Sequence, residues 1–271
     1  MSRGFIEATL RGFTSAVSQA LLSESAACQP GLLQTLDPRV RVLGLLTLVA
    51  AVVLSPRITV IAALFLIAVL LAAASRVKIA LLAKRLWLII FGFSGLIALP
   101  AVFLTPGQPV FNLPWLPLSI SAQGLRVAAL LILRVQTAAT LTTVLALSTP
   151  WTHILKALRS LHLPAEAVTM LAMTQRYIFL LIETAGQMFE SRESRTVGVL
   201  SGREQRRMTA RTAGVLLTKS IELSHEVYLA MLSRGFRGEV PLLQDFHIRT
   251  RDYLGLMVLV LVAALAVWIG R

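Results

Sequence analysis

The side chains that carry chemistry in most enzymes are thinly spread along this chain. Its 271 residues include four histidines, one cysteine and thirteen carboxylates, of which only three are aspartates. His153, His162, His225 and His247 never fall at a close metal-ligand spacing, and no second ligand type gathers around them. Cys28 stands alone, so it can close no internal disulfide and complete no zinc site. There is no Ser-His-Asp order to build a nucleophile on, and no G-x-x-x-x-G-K-[ST] stretch to cradle phosphates. These absences describe a chain with no catalytic residue, no metal site and no cofactor of its own: a part that binds other parts.

What stands out instead is arginine at the ends of two helical runs, "SRESRTVGV" (191–199) and "AMLSRGFRG" (230–238). Glu183 and Arg195 lie twelve residues apart, as do Glu222 and Arg234. Ser191 aligns with Ala230, Ser194 with Ser233, and Val197 with Phe236. A helix C-terminus exposes carbonyls of partial negative charge, which favours arginine there. One turn earlier, a small Ser191 or Ala230 lets another backbone come close while the guanidinium reaches a carboxylate or carbonyl in a socket. Such ends dock; they do not react. Gly235 is the expected stop of the second helix. Two plainer readings stand beside this one: chance likeness between amphipathic helices, and arginines that only set topology or touch anionic lipid. The plain reading suits Arg203, Arg206, Arg207 and Arg211, whereas the matched context of Arg195 and Arg234 favours docking.

The elements that must carry these ends are membrane helices. The chain is 56% hydrophobic and only 14% charged, against about 25% charged in soluble domains. Its apolar residues cluster in near-continuous runs, which predicts an all-α integral membrane protein of about five transmembrane helices. The net charge of +13 then belongs to loops facing the cytoplasm and not to a nucleic-acid surface. The expected spans are 40–54, 58–74, 86–104, 125–147 and 253–269, the first two joined by Ser55-Pro56-Arg57. Arg76, Lys78, Lys84 and Arg85 crowd one connection, while residues 105–124 carry no charge. The positive-inside rule therefore predicts a cytoplasmic N-terminus and an external C-terminus. Residues 150–251, with fourteen of the twenty-six basic residues, become a cytoplasmic insert of helices. The division is 1–36 as a surface helix or tail, 37–149 as four spans, 150–251 as the insert, and 252–271 as the last span. Within the insert, 172–182 is apolar enough to enter the bilayer. Arg134 sits some 13 Å into its span at 1.5 Å per residue, facing the bundle or a wet cavity, or snorkelling.

Four segments resemble the T component of energy-coupling factor transporters, and more narrowly the CbiQ type of the cobalt and nickel systems. "LDPRVRVLGLL" (36–46), with Asp37 and Arg39, is similar to the family's entry into its first span. "LSTPWTHILKALRSLHLP" (147–164) and "QRYIFLLIETAGQMFESRESR" (175–195) resemble its Thr-Pro segment and first coupling helix; "AMLSRGFRG" resembles its second Ala-x-x-x-Arg-Gly motif. The resemblance runs from residue 36 onward. It implies a membrane scaffold in a bacterial inner membrane whose coupling helices insert Arg195 and Arg234 into two ABC-type ATPases. ATP and Mg would be bound by those partners, and a separate membrane subunit would bind the substrate. One departure matters: the family's Gly after the first Arg is Thr196 here, and Arg192 lies one turn earlier, which leaves Arg192 open as the first docking residue. The T component of a vitamin importer, or a membrane assembly or receptor protein, remain the alternatives.

Overall fold

The computed structural model describes residue 12 and residues 31–75, 87–105, 109–112, 119–161, 163–195, 201–236 and 250–271. The expected surface helix near the N-terminus, the basic connection holding Arg76 to Arg85, Cys28, His162, His247 and the Thr196–Val197 pair lie outside the described residues. Eight α-helices appear among the described residues. They are α1 (Pro38–Leu54), α2 (Ile58–Ala74), α3 (Leu88–Leu104), α4 (Ala122–Ser148), α5 (Trp151–Ser160), α6 (Ala165–Glu193), α7 (Gly202–Ser233) and α8 (Thr250–Gly270). A 3-10 turn, Leu33–Thr35, precedes α1. The uncharged connection between α3 and α4 contains a short antiparallel ribbon of β1 (Pro109–Asn112) and β2 (Ser119–Ser121), which hydrophobic patterning did not signal.

Helix starts follow local chemistry, and they shift two expected boundaries. α1 begins at Pro38 instead of Val40, because the Asp37 carboxylate accepts the Arg39 N–H at 2.8 Å and Pro38 fits the first turn. α4 begins at Ala122 instead of Leu125, because the Ser121 hydroxyl accepts the Gly124 N–H at 2.9 Å. Ser201 and Glu204 cap α7 reciprocally, the Ser201 N–H donating to the Glu204 carboxylate at 2.9 Å. Hydrogen bonding to Ser201 holds the Glu204 carboxyl below its ordinary range.

The chain divides into two compact units. The larger contains residues 31–157 and 250–271 of those described. In it α1 packs on α4 and α8, and α4 packs also on α2 and α3. Side-chain contacts fix the directions. Near the start of α1, Arg41 reaches the Ser148 carbonyl at the end of α4, and beyond the end of α1 the Ser55 carbonyl accepts from Arg134. α1 and α4 are therefore antiparallel. α8 runs parallel to α1, with Gly255 against Leu36 and Gly270 against Ser55. Close approach is what the glycines permit. A Cβ on Gly44 would collide with Leu259, and one on Gly124 would lie 2.7 Å from the Ala101 and Val102 carbonyl oxygens of α3. The core joins Leu45, Leu48, Ile61, Leu64, Leu141 and Val144 with small residues such as Ala68 and Ala263. Small residues at helix seams suit packing in lipid, where apolar burial between helices drives little.

The outside of this unit is as apolar as its inside. Leu88, Phe93 and Trp268 are 70%, 66% and 77% exposed. A helix that is hydrophobic all round needs lipid or protein about it. Among the described residues, three helices are long and apolar enough to cross a membrane by length and composition: α4, α8 and residues 165–192 of α6. α2 and α3 are apolar but only 17 residues each, about 25 Å at 1.5 Å per residue.

The smaller unit contains residues 12, 158–195 and 201–236 of those described, chiefly α6 and α7. At 29 and 32 residues they are about 43 and 48 Å long. The end of α6 meets the start of α7, where an Arg192 guanidinium N–H donates to the Met208 carbonyl at 3.4 Å. The start of α6 and the end of α7 together line a groove of about 510 Å³, with Met170, Met173, Tyr177, Val227, Met231 and Phe236 in its walls. The two helices thus run antiparallel, as a short connection between long helices requires.

Candidate functional site: two arginine-tipped ends and a buried charge cluster

The antiparallel pairing decides where the matched ends go. Arg195 closes α6 beside the beginning of α7, and Arg234 closes α7 beside the beginning of α6. The two guanidinium groups stand at opposite ends of the pair, roughly 40 Å apart by helix rise. Both arginines are exposed, and neither side chain makes a hydrogen bond or ion pair among the described residues. Ser191, Ser194, Ala230, Ser233 and Gly235 are exposed around them.

The two ends are built differently. At the end of α7, Gly235 has φ +80°, its N–H donates to the Leu232 carbonyl at 2.9 Å, and the Phe236 N–H donates to the Met231 carbonyl at 3.0 Å. This is the Schellman arrangement, with Phe236 folded back into the same groove as Met231. The Ser233 hydroxyl donates to the Ala230 carbonyl at 3.0 Å. At the end of α6, Ser194 keeps right-handed helical geometry and the Arg195 N–H donates to the Arg192 carbonyl at 3.2 Å. Ser191 and Ser194 donate their hydroxyls to the carbonyls of Met188 and Glu190. Arg192, engaged with Met208, is held within the helix pair, while Arg195 projects.

In the membrane bundle, Asp37 and Arg39 take separate roles. The Asp37 backbone N–H donates to the Asp252 carboxylate at 2.8 Å, and Asp37 and Asp252 are both buried. Arg39 is half-buried, with an Nε that has no hydrogen-bond partner among the described residues. Arg134 is half-buried and donates from Nη2 to the Ser55 carbonyl at 2.8 Å, facing the bundle. A charge-assisted bond of about 1.5–3 kcal/mol offsets much of the insertion cost of a central arginine, about 2.5–3.5 kcal/mol.

Sequence reasoning passed over the most buried cation among the described residues, Arg41, which is 4% exposed. Its Nε donates to the Leu36 carbonyl at 2.9 Å, Nη2 to Leu36 at 2.7 Å and Gln34 at 3.1 Å, and Nη1 to Ser148 at 2.7 Å. The carboxylates of Asp37 and Asp252 act on it electrostatically. Two signals were available: Arg41 follows Asp37 by four residues, an ion-pair spacing, and Asp252 is one of only three aspartates. On α5 nearby, burial pushes His153 below its ordinary pKa of 6.5; the positive charges of Arg41 and Lys156 add to this, and Asp37 opposes it. Among the described residues, no three His, Cys, Asp or Glu side chains gather as a metal cage.

An all-helical bundle with lipid-facing apolar surfaces, arginines bonded internally and several apolar helices defines a multi-pass integral membrane protein. Within that class, the chain belongs to the CbiQ family of cobalt transport proteins, whose family model matches residues 31–243. It is 30% identical to an uncharacterized protein of Methanocaldococcus jannaschii over 274 residues, covering 100% of this chain and 94% of that one. It is 29% identical to the cobalt transport protein CbiQ of Rhodobacter capsulatus over 170 residues, 62% of this chain and 69% of that one. It is 32% identical to the nickel permease LarQ of Lactiplantibacillus plantarum over 123 residues, 45% and 42% of the two chains.

Proposed function

We propose that this chain is the transmembrane coupling subunit of an ATP-driven energy-coupling factor importer for cobalt or nickel ions. Its α6 and α7 are the coupling helices. Arg195 and Arg234 dock into two ABC-type ATPase subunits, which bind ATP and Mg and hydrolyse it, while the bundle holds a separate substrate-binding membrane subunit. The observation that carries this reading is the placement of two exposed, sequence-matched arginines at opposite ends of one antiparallel pair. Ends roughly 40 Å apart suit two subunits, one per end, better than a single socket. Closing of an ATPase pair would then pull on both ends and turn one helix against the other.

In this reading the N-terminus is cytoplasmic, the C-terminus external, and residues 150–251 lie on the ATPase side. The alternation of α1, α2, α3, α4 and α8 agrees with five crossings, since α1 and α8 are parallel and α1 and α4 antiparallel. α6 is apolar because it faces membrane protein or lipid along its length, with Met170 and Ile178 67% and 49% exposed. The family membership and the cobalt and nickel relatives favour these ions as cargo over a vitamin. Co-purification of tagged chain with candidate ATPases and a substrate-binding subunit, followed by ATP-dependent uptake of Co²⁺ and Ni²⁺ into proteoliposomes, tests the reading. Stoichiometric complex and uptake are expected; a chain that binds no ATPase would overturn it.

A further inference from the structure

Two crossings join the bundle to the rest of the described chain: the last turn of α4, which leads into α5 and the boundary of the larger unit at residue 157, and the first turn of α8, where the described chain resumes in that unit. Both crossings carry a buried hydrogen bond to the same place. Arg41 Nη1 holds the Ser148 carbonyl in the last turn of α4, just before Thr149-Pro150 and α5. Asp252, in the first turn of α8, accepts the Asp37 N–H. Arg41 and Asp37 are themselves joined through the turn that starts α1, where Arg41 also takes the Gln34 and Leu36 carbonyls. The Gln34 side chain donates in turn to the Ser75 carbonyl at 3.2 Å, just past α2. One guanidinium fork, the Asp37 backbone N–H and the Asp252 carboxylate thus tie the start of α1 to the end of α4 and the start of α8.

Such a cluster is more than core packing requires. A buried ion group is weak evidence for stability, since an apolar replacement often serves as well. A planar fork with fixed donor directions specifies geometry instead. At the opposite end of the same bundle, Arg134 donates to the Ser55 carbonyl, and the Ser55 and Ser121 hydroxyls donate to the Ala266 and Thr105 carbonyls, with no carboxylate in these bonds.

We infer that Arg41, with Asp37 and Asp252, is a positioning device that holds both chain crossings in fixed register, so that movement of α6 and α7 reaches the bundle instead of being lost at the connections. The inference rests on the transporter reading above. In this role Arg41 acts through the Ser148 carbonyl and through Asp252.

The test compares ATP hydrolysis and metal uptake in one preparation of the full complex in proteoliposomes, using Co²⁺ and Ni²⁺. Arg41→Lys keeps the charge but cannot span three carbonyls in a plane. Its complex is expected to assemble and to hydrolyse ATP near the wild-type rate, while ions taken up per ATP fall about tenfold, within the usual range of coupling between sites. Asp252→Asn keeps an acceptor for the Asp37 N–H and removes a charge beside Arg41, and serves if Arg41→Lys does not assemble. A smaller loss of ions per ATP is expected of it. Unchanged ions per ATP in the assembled variants would overturn the inference. So would uptake, hydrolysis and assembled complex falling in proportion, which marks a folding element only. A wild-type complex without ATP-dependent uptake would instead defeat the transporter reading, so the two failures are distinguishable.

Discussion

Two helices of this protein end on the same Ser-Arg pair, yet their last turns are held by different means. α7 stops on Gly235 in the left-handed region, and two backbone bonds and the return of Phe236 to the groove fix the direction in which Arg234 leaves. α6 has Thr196 where α7 has Gly235, and its last described turn is tightened by two backbone bonds, from Ser194 to Glu190 and from Arg195 to Arg192, and by two serine hydroxyls, with a right-handed residue in place of a left-handed stop. Arg192 compensates by joining that end to α7 through the Met208 carbonyl. Matched residue types therefore do not imply matched mechanics. An arginine on a pre-set stop loses less freedom on docking than one on a turn secured from the side, so Arg234 is expected to contribute more affinity.

The largest effect expected is from reversing both charges. Arg195→Glu with Arg234→Glu should leave the protein in the membrane and weaken ATPase association at least about a hundredfold, as losses at desolvated charge contacts do. Pull-down and titration of the ATPase pair measure it, and the single variants sharpen the comparison: Arg234→Glu should cost more than Arg195→Glu. Equal losses would erase the distinction drawn between the ends.

Gly235→Val comes next. A β-branched residue at φ +80° costs about 1–2 kcal/mol, so the Schellman stop should open and ATPase binding through Arg234 weaken about tenfold. Measured in an Arg195→Glu background, unchanged binding would show that the stop does not position Arg234. A smaller loss should follow Arg192→Ala, which removes a long 3.4 Å bond and should raise hydrogen exchange where α6 meets α7. Partner binding should weaken only at the α6 end; a direct Arg192 contact would instead abolish it there.

The smallest effect is a pH dependence of stability arising in the bundle. His153 binds its proton less readily folded than unfolded, chiefly through burial. Between its lowered folded pKa and 6.5 the unfolded chain holds more protons, so stability should be constant above that window and fall as pH drops through it. Thermal unfolding in detergent at pH 7.5 and 5.5 should show the drop, and His153→Gln should flatten it. Binding at one end that changed with pH while the other held would trace the effect to that end and not to His153.

Much of this was legible in the chain because it depends on neighbours in sequence. The 58–74 run gives α2 at those bounds, Gly235 predicts its own left-handed stop, and apolar runs mark the membrane helices. The twelve-residue Glu-to-Arg spacing also belongs to the sequence alone. Caps moved α1 and α4 outward because a carboxylate and a hydroxyl satisfy N–H groups that hydropathy cannot count. Contacts across the fold were beyond reach. That Arg195 and Arg234 sit at opposite ends follows from antiparallel packing of α6 and α7, and a direct repeat in the sequence does not disclose it. Arg41 read as one more basic residue beside a span until Ser148, 107 residues away, and Asp252 closed around it. Composition and local spacing determined which residues could dock; only the tertiary structure decided which arginine is exposed, which is buried, and what each one holds, because a guanidinium's role is set by the carbonyls and carboxylates that distant segments bring to it.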